Sequence, residues 1–261
     1  MEKSGFSKLK SWLAQYSIAR GIYFSALWIA HLPGFIKDYA AFRSMARGRR
    51  RFTMKATDIF PKLLDDTGST GFDPHYVYHP AWAARIIAER KPAKHVDISS
   101  FLQFSTLVSA FIPVEFYDYR PADVRLPGLT SRRGDLMSLP FPDDSVESIS
   151  CMHTVEHVGL GRYGDRIDPD GDVKAARELA RVVKPGGTLI FVTPVGQPKI
   201  CFNAHRIYSY EQVLGMFGGL ELREFSMVPD DFRRYGLIKD ADPAMIKDQS
   251  YACGCFWFTK R

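Results

Sequence analysis

Three acids and three histidines in this 261-residue chain have the types and spacing to do chemistry. Asp118 lies 21 residues after Asp97 (118 − 97), each at the end of a short apolar run. An acid about 20 residues beyond a first strand is placed to accept from the ribose hydroxyls of a nucleotide. Asp135 follows as a third acid at the end of a weaker run. His153, His157 and His205 carry the side chain whose ordinary pKa suits proton transfer near neutral pH, so each is a candidate catalytic base. Each also has a plain structural role open to it: His157 can pack on a sheet, and His205 with Arg206 can hold a loop. Glu156 is either a ligand contact or a helix-capping acid, and Tyr163 with Arg206 could bind an acidic acceptor.

Three other patterns invite chemistry and are set aside. Gly159-Leu160-Gly161-Arg162-Tyr163-Gly164 fits G-x-G-x-x-G, but it follows the fourth strand-like run and not the first, so it is expected to be a flexible loop over the site. Asp165, Asp168, Asp170 and Asp172 suggest a calcium loop, yet the sixth position after Asp168 is not glycine and the twelfth is not glutamate. Cys253-Gly254-Cys255 lacks the two-residue gap of common zinc pairs and sits in the strand-like run Tyr251 to Thr259, so buried thiols are expected. No metal is expected.

The elements that must position these groups alternate between strand and helix from Asp73 onward, the pattern of a parallel sheet with crossover helices. Lys94 to Ser99 reads as a strand, Phe101 to Phe111 as a helix, and Val114 to Asp118 as a second strand. A weaker third precedes Asp135, and Ser145 to Cys151 is a fourth. Val173 to Val183 is a helix ended by Lys184-Pro185-Gly186-Gly187, and Thr188 to Thr193 is a fully buried fifth strand. Tyr210 to Phe217 is a helix, and Leu220 to Phe225 and Cys253 to Lys260 are late strands.

Length and a hydrophobic content of 46% suit one large globular domain with an appendage. The net charge of +6 is uneven: residues 1 to 51 hold ten Lys or Arg against Glu2 and Asp38, a surplus of +8, which leaves the remainder at −2. That first segment reads as two helices, Phe6 to Ala30 and Pro33 to Arg47, broken at His31-Leu32-Pro33-Gly34. Its Trp12, Tyr16, Tyr23, Phe24 and Trp28 among basic residues suit an amphipathic helix at a membrane surface, or a lid on the main domain. The apolar run from Gly21 to Ala30 is too short to span a bilayer, and no A-x-A-like cleavage site follows it. Four scattered cysteines make no disulfide framework. The expected location is the cytoplasm, with a peripheral seat at the inner face of the membrane as an addition. The expected division is a helical extension over 1–55 and a main domain over 56–261.

Gly134 to Ser145, Ala176 to Leu189 and His153 to Val158 together resemble the class I S-adenosylmethionine-dependent methyltransferases, in their small-molecule branch. The resemblance covers roughly residues 75 to 226. It implies a Rossmann-like, doubly wound, mostly parallel seven-stranded α/β sheet and S-adenosyl-L-methionine as cofactor. It also implies that Asp135 with Leu136 takes the adenine and that Asp97 orients the amino-acid end, with Asp118, Tyr119 and His153 as further cofactor-binding candidates; the Ser99 and Ser100 hydroxyls could contact the cofactor's carboxylate where glycine is missing. The chain departs from the family at Ser99-Ser100-Phe101-Leu102, where a glycine-rich turn is usual. Similar proteins with a serine-containing first motif occur in bacterial surface-polysaccharide clusters, which implies a sugar or lipid-linked glycan acceptor. The stretch Ser150-Cys151-Met152-His153 lacks the Asn/Asp-Pro-Pro-aromatic motif of many base and protein amino-group methylases, so nucleic acid is not the expected partner. The alternative to an enzyme is a catalytically inactive methyltransferase-like module that binds or scaffolds.

Overall fold

The computed structural model describes residues 17–48 and 52–261, with side chains from residue 21 onward. The chain divides into two units, one ending at Gly71 and the other running Phe72–Arg261.

In the first unit a single helix, α1 (Ser17–Met45), runs through the expected break. Pro33 removes one backbone donor, while His31 Nδ1 bonds the Leu27 carbonyl at 2.8 Å in the adjoining turn, so the helix absorbs the proline without ending. The expected helical residues 6–16 and basic residues Arg49–Arg51 lie outside the described residues. Exposed Ile22, Tyr23, Trp28, Ile36 and Met45 fall on different sides of α1, so its apolar surface is not gathered into one stripe. No described helix is long and apolar enough to cross a membrane.

The second unit begins with α2 (Pro74–Arg90). Asp73 caps it by accepting from the His75 and Tyr76 amides at 2.9 and 3.3 Å, and Pro74 occupies the first helical position, where its missing donor costs nothing. The buried residues His75, His79, Trp82, Ala83, Ile86 and Ile87 recur at helical spacing and form one face.

Alternating strands and helices follow: β1 (His95–Ile98), α3 (Leu102–Val108), β2 (Val114–Asp118), β3 (Leu129–Arg133), β4 (Val146–Met152), α4 (Gly171–Val182) and β5 (Val183–Val195). After a hairpin of β6 (Lys199–Cys201) and β7 (His205–Ile207) come α5 (Tyr210–Met216), β8 (Leu220–Val228), α6 (Phe232–Tyr235) and β9 (Ala252–Lys260). Seven strands form one sheet in the order β3-β2-β1-β4-β5-β9-β8, parallel from β3 to β5, with β9 antiparallel to both of its neighbours.

Burial on both faces explains the unbroken apolar run of β5, whose residues Thr188–Val195 are all buried. Alternate residues serve opposite layers. Leu189 and Phe191 pack with Leu179 of α4 and with Phe256 and Phe258 of β9. Ile190 and Val192 pack with Trp82 and Ile87 of α2, Phe104 of α3, and Cys253 and Cys255 of β9. β1 has β2 on one side and β4 on the other, so the chain reverses its winding there and opens a crevice at the carboxyl ends of these strands.

Candidate active site

At that crevice, the two segments flanking β4 are tied together before any ligand is considered. From α4, Glu178 accepts from the Leu139 amide at 2.8 Å, and Arg181 donates to the carbonyls of Phe141 and Leu139 at 2.8 and 3.2 Å. The segment that carries Asp135 and Leu136 is thus anchored on the helix that precedes β5.

A cavity of about 310 Å³ opens here, lined among others by Ser99, Asp118, Tyr119, Asp135, Leu136 and His153. Asp118 and Asp135 are held alike: Asp118 Oδ1 accepts from the Arg120 amide at 2.7 Å and Asp135 Oδ1 from the Met137 amide at 2.9 Å. Each uses one oxygen to fix its own turn, and its other oxygen has no hydrogen-bond partner among the described residues. Leu136 and Met137 give the same wall an apolar surface.

Ser99 stands where a glycine was expected by resemblance, and its backbone nevertheless adopts φ +53°. The turn is kept by its amide, which donates to the Tyr117 carbonyl at 2.7 Å, by its hydroxyl, which donates to the same carbonyl at 3.2 Å, and by Thr154, whose hydroxyl donates to the Ser99 carbonyl at 2.8 Å. His153 at the end of β4 is also left-handed, φ +54°. Two residues other than glycine in this sparsely populated region therefore border one cavity, a pattern that clusters at functional sites.

A second cavity, about 560 Å³, lies beyond His153 and is lined by Tyr76, Ser100, Glu156, Arg162, His205 and Tyr251 among others. Ser99, His153, His157 and Tyr163 border both cavities.

The three candidate bases differ in what their nitrogens do. His153 has both engaged: Nδ1 meets Glu156 Oε1 at 2.9 Å and Nε2 meets Cys253 Sγ at 3.5 Å. His157 Nδ1 lies 2.6 Å from the Ala204 carbonyl and 3.3 Å from an Arg162 nitrogen, and Nε2 lies 3.9 Å from Glu156 Oε1; the shorter carbonyl contact assigns the proton to Nδ1 and Nε2 as the acceptor. Burial lowers its pKa despite the nearby Glu156, so the ring is neutral at neutral pH. His205 borders only the second cavity, packs on Tyr251 at 4.9 Å between ring centroids, and is likewise lowered by burial.

Asp97 and Arg206 are placed differently from the expectation. Asp97 lies one layer behind the cavity, fully buried, accepting from Ser105 and, at 2.6 Å, from Ser150. Arg206 is buried with its guanidinium donating to the Val158 and Pro169 carbonyls at 2.6 and 3.2 Å, 3.5 Å from Asp172, and borders neither cavity. Ser100 borders the second cavity, yet its hydroxyl already accepts from the Met152 amide at 2.9 Å.

The glycine-rich segment is a closely tied loop. Asp165 accepts from the amides of Gly159, Gly161 and Tyr163 at 2.8, 3.2 and 3.2 Å. Burial raises its carboxyl, but these amides outweigh burial and hold it below the ordinary value. Gly159 is required, since a Cβ there would stand 2.0 Å from the Asp168 carbonyl oxygen. Arg120, which sequence reasoning missed, and Arg162 both place guanidinium groups over the Tyr163 ring, at 4.9 and 5.0 Å. The position of Arg120 directly after Asp118-Tyr119 was its only signal in the sequence.

Among solved structures, a putative sarcosine dimethylglycine methyltransferase from Galdieria sulphuraria superposes with a TM-score of 0.50 at 15% identity, over 69% of this chain and 84% of that one. The chain has a methyltransferase fold. Two curated relatives are demethylmenaquinone methyltransferases. The Listeria welshimeri protein is 33% identical over 125 residues, 46% of this chain and 47% of its own length. The Thermus thermophilus protein is 28% identical over 183 residues, 69% of each. The chain thus spans about half the length of the Listeria relative. Residues 143–230 also match a family model described as Caenorhabditis protein of unknown function, DUF268.

Proposed function

We propose that this chain is an S-adenosyl-L-methionine-dependent methyltransferase acting on a hydroxyl or amine of a small-molecule or glycan acceptor, with a sugar of a surface polysaccharide as the favoured class. The observation that carries it is the cavity at the switch point of the sheet, which Asp118, Asp135, Leu136 and His157 line together. The remaining carboxylate oxygens of Asp118 and Asp135 suit the hydroxyls and amino group of an adenosyl unit, and Leu136 with Met137 suits its ring, so the residues present fit the cofactor. When bound, the cofactor supplies an electrophilic methyl group on a sulfonium.

The remaining work falls to the chain itself. Asp118, Asp135 and the Ser99 turn hold and orient the donor. The tied loop with Tyr163 screens it from water. Alignment of donor and nucleophile is worth about 7–11 kcal/mol in such displacements. His157 Nε2, neutral and unprotonated, is placed to take the acceptor's proton. The lining mixes Tyr76, Tyr163 and Tyr251 with polar Glu156, Arg162 and His205, a composition that suits a sugar.

The basic charge of the first segment favours peripheral contact with an anionic membrane, where a lipid-linked glycan would be met. Such a protein works at the inner face of the membrane, in the cytoplasm.

The competing reading is a methyltransferase-like binding module without catalysis. It is favoured by the serine turn, whose hydroxyls are already bonded within the protein. Titration calorimetry of the full chain with S-adenosylmethionine separates the two. Binding is expected, and Asp118→Ala should weaken it about 10- to 100-fold, the loss of a hydrogen-bonded carboxylate. Neither heat nor thermal stabilisation at millimolar cofactor would discard the enzyme reading.

A further inference from the structure

Behind His153 the two core layers hold a group of side chains that the cavity chemistry does not use. His75 from α2, His153 after β4 and Cys253 from β9 bring one donor atom each within 4.8 Å of one another, all buried. Cys253 and Cys255 are both free thiols on the same face of β9.

We propose that His75, His153 and Cys253 bind a zinc ion that fastens α2 and the end of β4 to β9. With Zn–S near 2.3 Å and Zn–N near 2.0–2.1 Å, two tetrahedral ligands stand about 3.5 Å apart for S and N, and about 3.8 Å apart for two S atoms. The Cys253 Sγ to His153 Nε2 separation is 3.5 Å. Cys255 Sγ lies 3.8 Å from Cys253 Sγ but outside the group of three, so the site has three protein donors.

The surroundings carry the mark of a metal site. A ligating histidine almost always gives its other nitrogen to a carboxylate or carbonyl, which sets the tautomer. His153 does so at 2.9 Å with Glu156, leaving Nε2 turned to Cys253. His79, one turn after His75, bonds the His75 carbonyl at 2.6 Å through Nδ1, and its fully buried Nε2 has no partner. A buried nitrogen with a lone pair and nothing to meet it is uncommon in a packed core. Glu156 Oε2 is a second such atom in the same cluster. The three donors come from α2, the end of β4 and β9, so the ion would fasten these elements and hold the left-handed His153 where it borders both cavities. The inference stands apart from the methyltransferase reading, since metal content and cofactor binding are measured separately.

The test is metal analysis of the full chain purified without chelator, followed by exchange with cobalt. One zinc per chain is expected. The cobalt form should show the intense visible bands of a tetrahedral site and a thiolate-to-cobalt charge-transfer band. Cys253→Ser should lose both, and Cys201→Ser, in the β6–β7 hairpin, should keep both. Glu156→Gln should weaken zinc about 10- to 100-fold in a chelator competition, as expected when a ligand's orienting carboxylate is lost. The proposal is overturned if folded wild-type protein takes up neither metal, or if Cys253→Ser retains a full equivalent. Should that variant fail to fold, the wild-type cobalt spectrum decides alone.

Discussion

Replacing Asp97 by Asn tests whether this acid belongs to the scaffold or to the ligand. Burial pushes the Asp97 carboxyl from 3.8 up to about 6, against the hydroxyls of Ser100, Ser105 and Ser150, which favour its charged form. The folded chain therefore binds this proton more tightly than the unfolded chain does. Its contribution to stability is full below about pH 4 and is lost as pH rises through about 6. A shift of about two pKa units at ~1.4 kcal/mol each makes the loss ~3 kcal/mol by pH 7. Asn does not titrate, so the wild type should lose ~3 kcal/mol relative to Asp97→Asn between about pH 4 and pH 7. Urea unfolding of both proteins across that range gives the difference directly. Buried His75, His79 and His95 act in the opposite sense, since their lowered pKa values make stability fall with acid, but they are common to both proteins and cancel. A difference that stays flat with pH, or that moves in favour of the wild type as pH rises, would refute the burial argument. Cofactor affinity supplies the second half of the test. Asp97→Asn should leave it within a few-fold, and a loss as large as that of Asp118→Ala would mean that Asp97 touches ligand.

Three further outcomes are expected. Ser99→Gly should be more stable than Ser99→Ala by about 1–2 kcal/mol, because both lose the hydroxyl but only glycine is relieved of the left-handed backbone; equal midpoints in denaturant would contradict this. His157→Gln should lower kcat about 10²- to 10⁴-fold with cofactor affinity kept, and an unchanged kcat would remove His157 as the base. Full-length protein should sediment with anionic liposomes more than a chain lacking residues 1–51, and equal partitioning would end the membrane assignment.

The strands were legible in the sequence because a sheet covered on both faces demands apolar runs, and Thr188 to Thr193 and Val114 to Asp118 are such runs. α2 was hidden for the converse reason: His75 and His79 occupy two of its buried positions and interrupt the apolar period. The β6–β7 hairpin is short, and β6 is largely exposed, so it leaves no periodic trace. At the site, Asp118 and Asp135 could be found by their places at strand ends. Arg206 was misleading because an arginine beside candidate bases reads the same whether its donors face a ligand or meet three nearby carbonyls. Asp97 has the expected position along β1, but sequence does not reveal that three serines close over it. Ser99 shows that the missing glycine removed an indicator of the turn while the turn itself persisted.

Because Ser99, His153, His157 and Tyr163 each form part of both cavities, the two compartments have a party wall. A molecule seated on one side settles the rotamers that its counterpart must then fit, and the guanidinium-clasped Tyr163 cannot swing for one without disturbing the other. Filling one compartment should therefore change affinity in the other, which titrating each ligand with and without its counterpart would measure.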